Sequence, residues 1–330
     1  MTAAAPTLAA AADRFISHTG QIHSPQLATS YSQALALFHQ YLHNAHLARP
    51  ERDPVSTLTA EWFHGYLSFL QANRSVETEH LYSRGLLAFY RHCTAEYHLD
   101  LDLEALDGYL EETRRPKQHH TPLLPLQAIE AILHCAASTP PPPRDEENLR
   151  EYLRFLRDRA FLLILGGTGL RVSEMCNLRR RSFDDEQRLL ALNDNLHLPL
   201  NQGTTAHLKR YLAERQPLDS QQAIPPADLP LFARHDKRAG KRVLPISRWT
   251  GANIVDEWAR RALDAETRQA LEQAGQSISP HTFRHYFVFT TLTRTEDIET
   301  TRRMARHVDR ATTRRYLQGI KGHHSDQDQP

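Results

Sequence analysis

Four short pieces of this 330-residue chain carry side chains suited to handling a phosphate. They are Thr168 to Glu174 (TGLRVSE), His281 to His285 (HTFRH), Arg306-His307, and Thr312 to Tyr316 (TTRRY). Arginine offers a planar fork that matches two phosphate oxygens. Histidine moves a proton near neutral pH, and a tyrosine phenolate is a competent nucleophile. His281 and Arg284 are three apart, so on one helix they share a face. His307 and Tyr316 are nine apart, across a turn into a last helix. Taken singly, each piece has an ordinary explanation. An H-x-x-R on a helix is usually a solvated face, and a tyrosine near a helix end usually belongs to a core. Gly166-Gly167-Thr168-Gly169 reads as a turn between helices. No Gly-Lys-Ser/Thr follows it, Val172 stands at the third glycine position of a dinucleotide fingerprint, and no strand precedes it. The signal lies in the joint order and spacing.

Together the four pieces resemble the tyrosine recombinase (phage integrase) family, with a Xer-like site-specific recombinase as the nearest type. The family orders its catalytic residues as arginine, lysine, H-x-x-R, histidine and a nucleophilic tyrosine. Arg171 matches the first arginine, His281 and Arg284 the second box, and His307 and Tyr316 the third, with Thr312-Thr313 before the tyrosine. The 23-residue step from Arg284 to His307 also agrees. The resemblance covers Thr121 to Leu317, and the N-terminal part, including Glu77 to Arg91, is similar to the family's core-binding domain.

This resemblance implies a mainly α fold: a helical core-binding bundle, then a mainly helical catalytic domain with a small antiparallel β-sheet. It implies a partner, double-stranded DNA, and a reaction needing neither metal nor high-energy cofactor. Arg171 and Arg284 would clamp the scissile phosphate, with His281 and His307 assisting. Tyr316 would form a 3′-phosphotyrosyl link and free a 5′-hydroxyl. Two guanidinium groups suit that chemistry because they counter the charge that builds in a pentacoordinate transition state. Glu174, one helical turn after Arg171, is expected to orient it or a neighbour. The resemblance further implies a monomer in solution and a homo-tetramer on paired sites. The segment after Tyr316 has no helical stripe to exchange with a neighbour.

Two positions depart from the family. Its general-acid lysine lies in a hairpin that here (Arg188 to Leu200, RLLALNDNLHLPL) contains none. Lys209, Lys237 and Lys241 are the nearest substitutes, and loss of a general acid typically costs ~10²–10⁴-fold. Arg306 stands where the family usually has glycine. A second reading therefore accompanies the recombinase: a degenerate relative that binds and organises DNA without cutting it.

Helices must position these residues. Apolar residues recur at helical spacing over Leu8 to Ser17, Gln26 to Ala45, Thr59 to Gln71 and Glu77 to Tyr97, which predicts a bundle. Glu112 to Pro125 has the basic, proline-rich composition of a linker. The expected organisation is a core-binding domain over 1–115, a linker over 116–122 and a catalytic domain over 123–330. Helices are expected at Leu126 to Ala136, Leu149 to Leu165, Arg171 to Leu178, Thr204 to Glu214, Asn253 to Ala265, His281 to Thr293, Thr300 to Ala305 and Ala311 to Leu317. Alternation over Arg188 to Leu192 and Leu196 to Leu200, around Asn193-Asp194-Asn195, predicts a hairpin.

Composition narrows the alternatives. No apolar run reaches the ~18 residues of a membrane span, and the alanine-rich start lacks a basic leader region. Cys93, Cys135 and Cys176 are odd in number, without C-x-x-C, which excludes a disulfide framework or cysteine zinc site and fits a reducing cytoplasm; the resemblance adds association with the nucleoid when bound to DNA. Twenty histidines include no H-E-x-x-H, so no metal is expected. The net charge of +1 hides a split: residues 1–115 hold eight Arg and no Lys against thirteen acidic residues, −5, leaving +6 for the rest. A polyanion would face the C-terminal part.

Overall fold

The computed structural model describes residues 5–116, 125–193 and 195–306. The chain divides into two compact units, Met1–His119 and His120–Pro330.

The first unit is built from α1 (Leu8–Ile22), α2 (Pro25–Asn44), α3 (Ala60–Asn73), α4 (Val76–Tyr97) and α5 (Leu103–Thr113). Thr7, Ser24, Ser75 and Asp102 cap α1, α2, α4 and α5 by accepting a backbone N–H, and Pro25 starts α2 where its missing N–H costs nothing. Phe38, Phe63, Tyr66, Phe89 and Tyr90 fill the centre of this bundle, fully buried or nearly so. The two tyrosine hydroxyls there are satisfied: Tyr66 donates to Ala34 O at 3.0 Å and Tyr90 to Thr59 O at 2.8 Å. α5 carries little more than Leu106 and Leu110 into the core, which is why the sequence pattern does not announce it.

The exit from this unit is tied down. Glu79, buried on α4, accepts from the Arg115 backbone N–H at 3.1 Å, from Arg115 Nε, and from Gln71 Nε2 at 3.3 Å. Arg115 Nη2 donates to Arg74 O at 2.6 Å, and His80 Nε2 lies 2.7 Å from Arg115 O. Burial acts to raise the Glu79 carboxyl, but the bonds from Arg115 and Gln71 outweigh it and leave it below the ordinary carboxylate value.

The second unit is arranged around α7 (Leu149–Thr168), which follows α6 (Leu126–Ser138) and is buried on most of its circumference. After it come α8 (Val172–Asn177), the strands β1 (Phe183–Asp184), β2 (Leu189–Asn193) and β3 (Leu196–Pro199), and α9 (Gln202–Asp219). α10 (Arg248–Ala262), α11 (Ala265–Gln273), α12 (Pro280–Thr295) and α13 (Ile298–Ala305) complete the described chain. α6, α9 and α12 pack on α7, while α10 packs on α6 and α8. The core joins Phe161, Ile164, Leu165, Tyr211, Phe232, Trp258 and Phe283.

The strands form an antiparallel sheet in the order β1-β2-β3. The register pairs buried Leu190 with buried Leu198, so the hairpin's inner face is fixed by its leucines. The sequence pattern finds β2 and β3 but not the two-residue β1, nor α11, whose described residues bury no side chain fully.

α9 runs past the Glu214 end that its sequence suggests, through Pro217 to Asp219. Proline removes one helical bond, and a buried ion pair holds the last turn instead. Arg215 Nε donates to Asp219 Oδ1 at 2.9 Å, and its other nitrogens reach Tyr211 Oη, Leu231 O and Pro230 O at 2.9–3.0 Å. Arg180 donates to the second Asp219 oxygen. Among the described residues no helix is long and apolar enough to cross a membrane.

Candidate active site

α7 ends at Gly169, whose φ of 58° and ψ of 27° terminate the helix while its N–H returns to Leu165 O at 3.1 Å. A side chain is excluded there twice. The left-handed backbone disfavours one, and an added Cβ would stand 2.4 Å from Phe287 Cδ1 of α12. The glycine run is thus not a turn throughout: Gly166, Gly167 and Thr168 finish α7, and only Gly169 turns the chain. Leu170 is buried, and Arg171 emerges at the N-cap of α8, its side chain 54% exposed. Gly251 sets α10 against this segment, since an added Cβ would meet Val172 Cγ2 at 2.5 Å.

Glu174 turns back on Arg171. Its Oε2 accepts the Arg171 backbone N–H at 2.6 Å, and its Oε1 lies 3.3 Å from Arg171 Nη1. A charged guanidinium is therefore held at the surface by a carboxylate one turn away.

The second box lies in the first turns of α12. Ser279 caps it, accepting the Thr282 N–H at 3.4 Å, and Pro280 occupies a first-turn position. His281 is exposed and its ring meets His285 edge-on, with centroids 4.2 Å apart. Its imidazole is held below the ordinary histidine value, first by desolvation and then by the charges of Arg284 and Arg171. This places His281 in the field of both arginines. Arg284, 4% exposed, points inward: Nη1 donates to Gly169 O at 2.6 Å and Nη2 to Ala305 O. It ties the first-box turn to the end of α13.

Arg306 enters the same cluster. Its guanidinium donates to Gly169 O at 2.9 Å and contacts Glu174 Oε2 at 3.4 Å. The sequence marks it only as an arginine in place of glycine, and nothing local to it says that the side chain folds back on residues 168–174.

Arg171, His281 and Arg284 thus gather around one turn. His307 and Tyr316, with the helix expected at Ala311 to Leu317 and the segment after it, lie outside the described residues. In the hairpin, β2 and β3 carry no lysine. Lys209 on α9 pairs with Asp185, in the turn after β1, at 2.7 Å. The Lys241 carbonyl accepts from Gln222 Nε2 at 2.9 Å in the loop that also holds Lys237.

The profile of the phage integrase family matches residues 144–323. Tyrosine recombinase XerC of Myxococcus xanthus is 26% identical over 303 residues, covering 89% of this chain and 87% of that protein. Tyrosine recombinase XerA of Pyrococcus furiosus is 28% identical over 174 residues, 51% of this chain and 52% of that protein, so the chain spans about half of that relative. Among solved structures, the Tn1549 transposon integrase in complex with transposon right end DNA matches with a TM-score of 0.61 at 16% identity, covering 94% of each chain. A lambda integrase dimer bound to a COC′ core site matches with a TM-score of 0.56 at 16% identity, covering 94% of this chain and 95% of that one. The architecture they share with this chain is the tyrosine recombinase fold.

Proposed function

This chain belongs to the phage integrase family, and on that premise we propose that it is a site-specific recombinase that cuts and rejoins DNA strands through a covalent tyrosine intermediate. What supports the reading most is the meeting of separate segments at one carbonyl. Arg284 of the second box and Arg306 beside the third both donate to Gly169 O, two residues before Arg171.

In this reading Arg171 and Arg284 engage the non-bridging oxygens of one phosphodiester and offset the charge that builds during attack. Tyr316 attacks phosphorus, the bond to the 5′-oxygen breaks, and a 3′-phosphotyrosyl ester preserves the energy of the phosphodiester. His281, whose depressed pKa favours the neutral imidazole, is suited to receive the phenolic proton, and His307 assists at the phosphate. The departing 5′-oxygen takes up a proton to become a hydroxyl. Attack by the 5′-hydroxyl of a second strand on the phosphotyrosine reverses the step and joins the strands. The first unit serves as the core-binding domain and the second as the catalytic domain, each with its own contacts to duplex DNA. The charge split of −5 for residues 1–115 against +6 for residues 116–330 supports placing the phosphate contacts mainly on the second unit. The protein is a monomer in solution and a tetramer on paired sites.

The lysine-free hairpin favours one further reading, a relative that binds and organises DNA without cleaving it. A nicked suicide duplex from the native locus separates the two. The unmutated chain should yield a detergent-resistant protein–DNA adduct and Tyr316→Phe none, with DNA affinity unchanged. An adduct on Tyr316→Phe would remove Tyr316 from the mechanism. Binding without any adduct would favour the DNA-organising relative.

A further inference from the structure

Arg306 closes α13 with φ 57° and ψ 41°, a left-handed geometry that glycine adopts freely and other residues at a cost. The backbone therefore favours glycine at this position, and whatever keeps an arginine there resides in its side chain. That side chain is only 11% exposed. Its Nη1 donates to Met304 O at 3.1 Å and Thr168 O at 3.5 Å, and its Nη2 to Gly169 O at 2.9 Å and Glu174 Oε2 at 3.4 Å. Apart from Met304 in its own helix, every one of these partners lies within residues 168–174, the segment that carries Arg171. Glu174 Oε2 also accepts the Arg171 backbone N–H, and Gly169 O also accepts from Arg284. Arg306 thus shares one partner with each of the two arginines proposed to hold the phosphate.

We propose that Arg306 is a positioning residue for strand cleavage, holding Glu174 and the Thr168–Gly169 carbonyls so that the Arg171 guanidinium stays available to a phosphate. The inference rests on the recombinase reading above. The physical argument is a competition for one carboxylate. Glu174 presents Oε1 to Arg171 Nη1 at 3.3 Å and Oε2 to Arg306 at 3.4 Å, so its charge is divided between two cations. With Arg306 removed, that charge falls on Arg171 alone, and the pair tightens away from the phosphate. Misplacement of a reacting group by about 1 Å can cost ~10²-fold in rate. The loss should therefore appear in the cleavage step at saturating DNA. Affinity, spread over many phosphate contacts, should hardly move.

The test uses the full chain and compares the unmutated protein with Arg306→Gly, Arg306→Lys, Glu174→Gln and the double variant Arg306→Gly/Glu174→Gln. Single-turnover adduct formation and DNA affinity are measured for each. Arg306→Gly relieves the left-handed backbone but gives up the four bonds of the side chain, so Arg306→Lys, which keeps a charge, carries the test should the glycine variant be unstable. The expected result is a rate about 10- to 100-fold lower for Arg306→Gly, with affinity within about threefold, and a smaller loss for Arg306→Lys. Removing the Glu174 charge in the double variant should recover part of the rate, a non-additivity that a purely structural role would not produce. Wild-type cleavage by Arg306→Gly, or strictly additive losses in the double variant, would overturn the inference while leaving the recombinase reading intact. No adduct from the unmutated chain would overturn both.

Discussion

The cores of the two units differ in what they enclose. Among the described residues the first buries one charged side chain, Glu79, within a packing of phenylalanine, tyrosine and leucine. The second buries Arg157, Asp158, Arg159, Arg215, Asp219 and Arg284. All four of these guanidinium groups reach backbone carbonyls outside the helices: Arg157 to Ala233, Arg159 to Thr139, Arg215 to Pro230 and Leu231, and Arg284 to Gly169. Burying a charge is expensive unless its bonds are made, so these are not general-purpose sources of stability. What they supply is a fixed place for irregular backbone. The first unit manages without buried guanidinium groups: its helices satisfy most of their own backbone, and its long α2–α3 connection is held by neutral bonds, such as Leu8 N–H to Asp53 O and Tyr90 Oη to Thr59 O. The second unit, in which segments far apart in the chain meet at the Gly169 carbonyl, does need them. The one exception in the first unit repeats the rule, since Glu79 fixes Arg115, where the chain leaves the bundle.

This comparison can be broken or sharpened, beginning with its strongest case. Arg215→Met should destabilise the second unit by about 3–5 kcal/mol, because it leaves Asp219 buried with only Arg180 as partner. Hydrogen exchange, read separately for the two units during urea unfolding, should show protection falling in α9 and around Leu229 to Ala233 while the first unit keeps its own. A loss below the ~1 kcal/mol of an ordinary hydrogen bond would mean that the buried network is dispensable and the contrast empty.

Glu79→Gln tests the counterpart and should cost the first unit about 1–3 kcal/mol. Its pH dependence carries a definite sign. The folded carboxyl lies below the ordinary value, so its contribution is complete above the unfolded value of about 4.3 and is lost as pH falls through the folded one. The variant should therefore flatten the acid limb of the first unit's stability curve. An unchanged acid limb would show that the Arg115 bonds do not favour the ionised form.

The smallest effect concerns His235, buried in the second unit with Nε2 2.9 Å from Tyr211 Oη. Burial, then the charges of Arg157 and Arg215, hold its pKa well below the ordinary value. Between that value and about 6.5 the unfolded chain binds the extra proton, so stability falls as pH drops below 6.5, by at most ~1.4 kcal/mol per pH unit. His235→Asn should remove that slope from the second unit only. In the first, His39 and His92, both also depressed by burial, should keep theirs. If the slope of the second unit survives the substitution, another histidine held below the ordinary value, such as the half-buried His207, governs it.

Helical periodicity and motif order are local properties, and the sequence determined what depends on them. The spacing of Phe38, Tyr66 and Tyr90 with their neighbours located α2, α3 and α4 to within two residues. Alternation around Asn193 located β2 and β3, and the boxes around Arg171 and His281 identified the family. Where local signal is thin it failed: β1 has two residues, α11 presents no buried stripe, and Pro217 hid the last turn of α9. The arrangement at the site was decided by tertiary structure alone. Arg284 reaches a carbonyl 115 residues earlier in the chain, and Arg306 reaches the same one across 137. A guanidinium's choice among carbonyls depends on which backbone lies within about 3 Å once the core has closed, and no spacing along the chain encodes that.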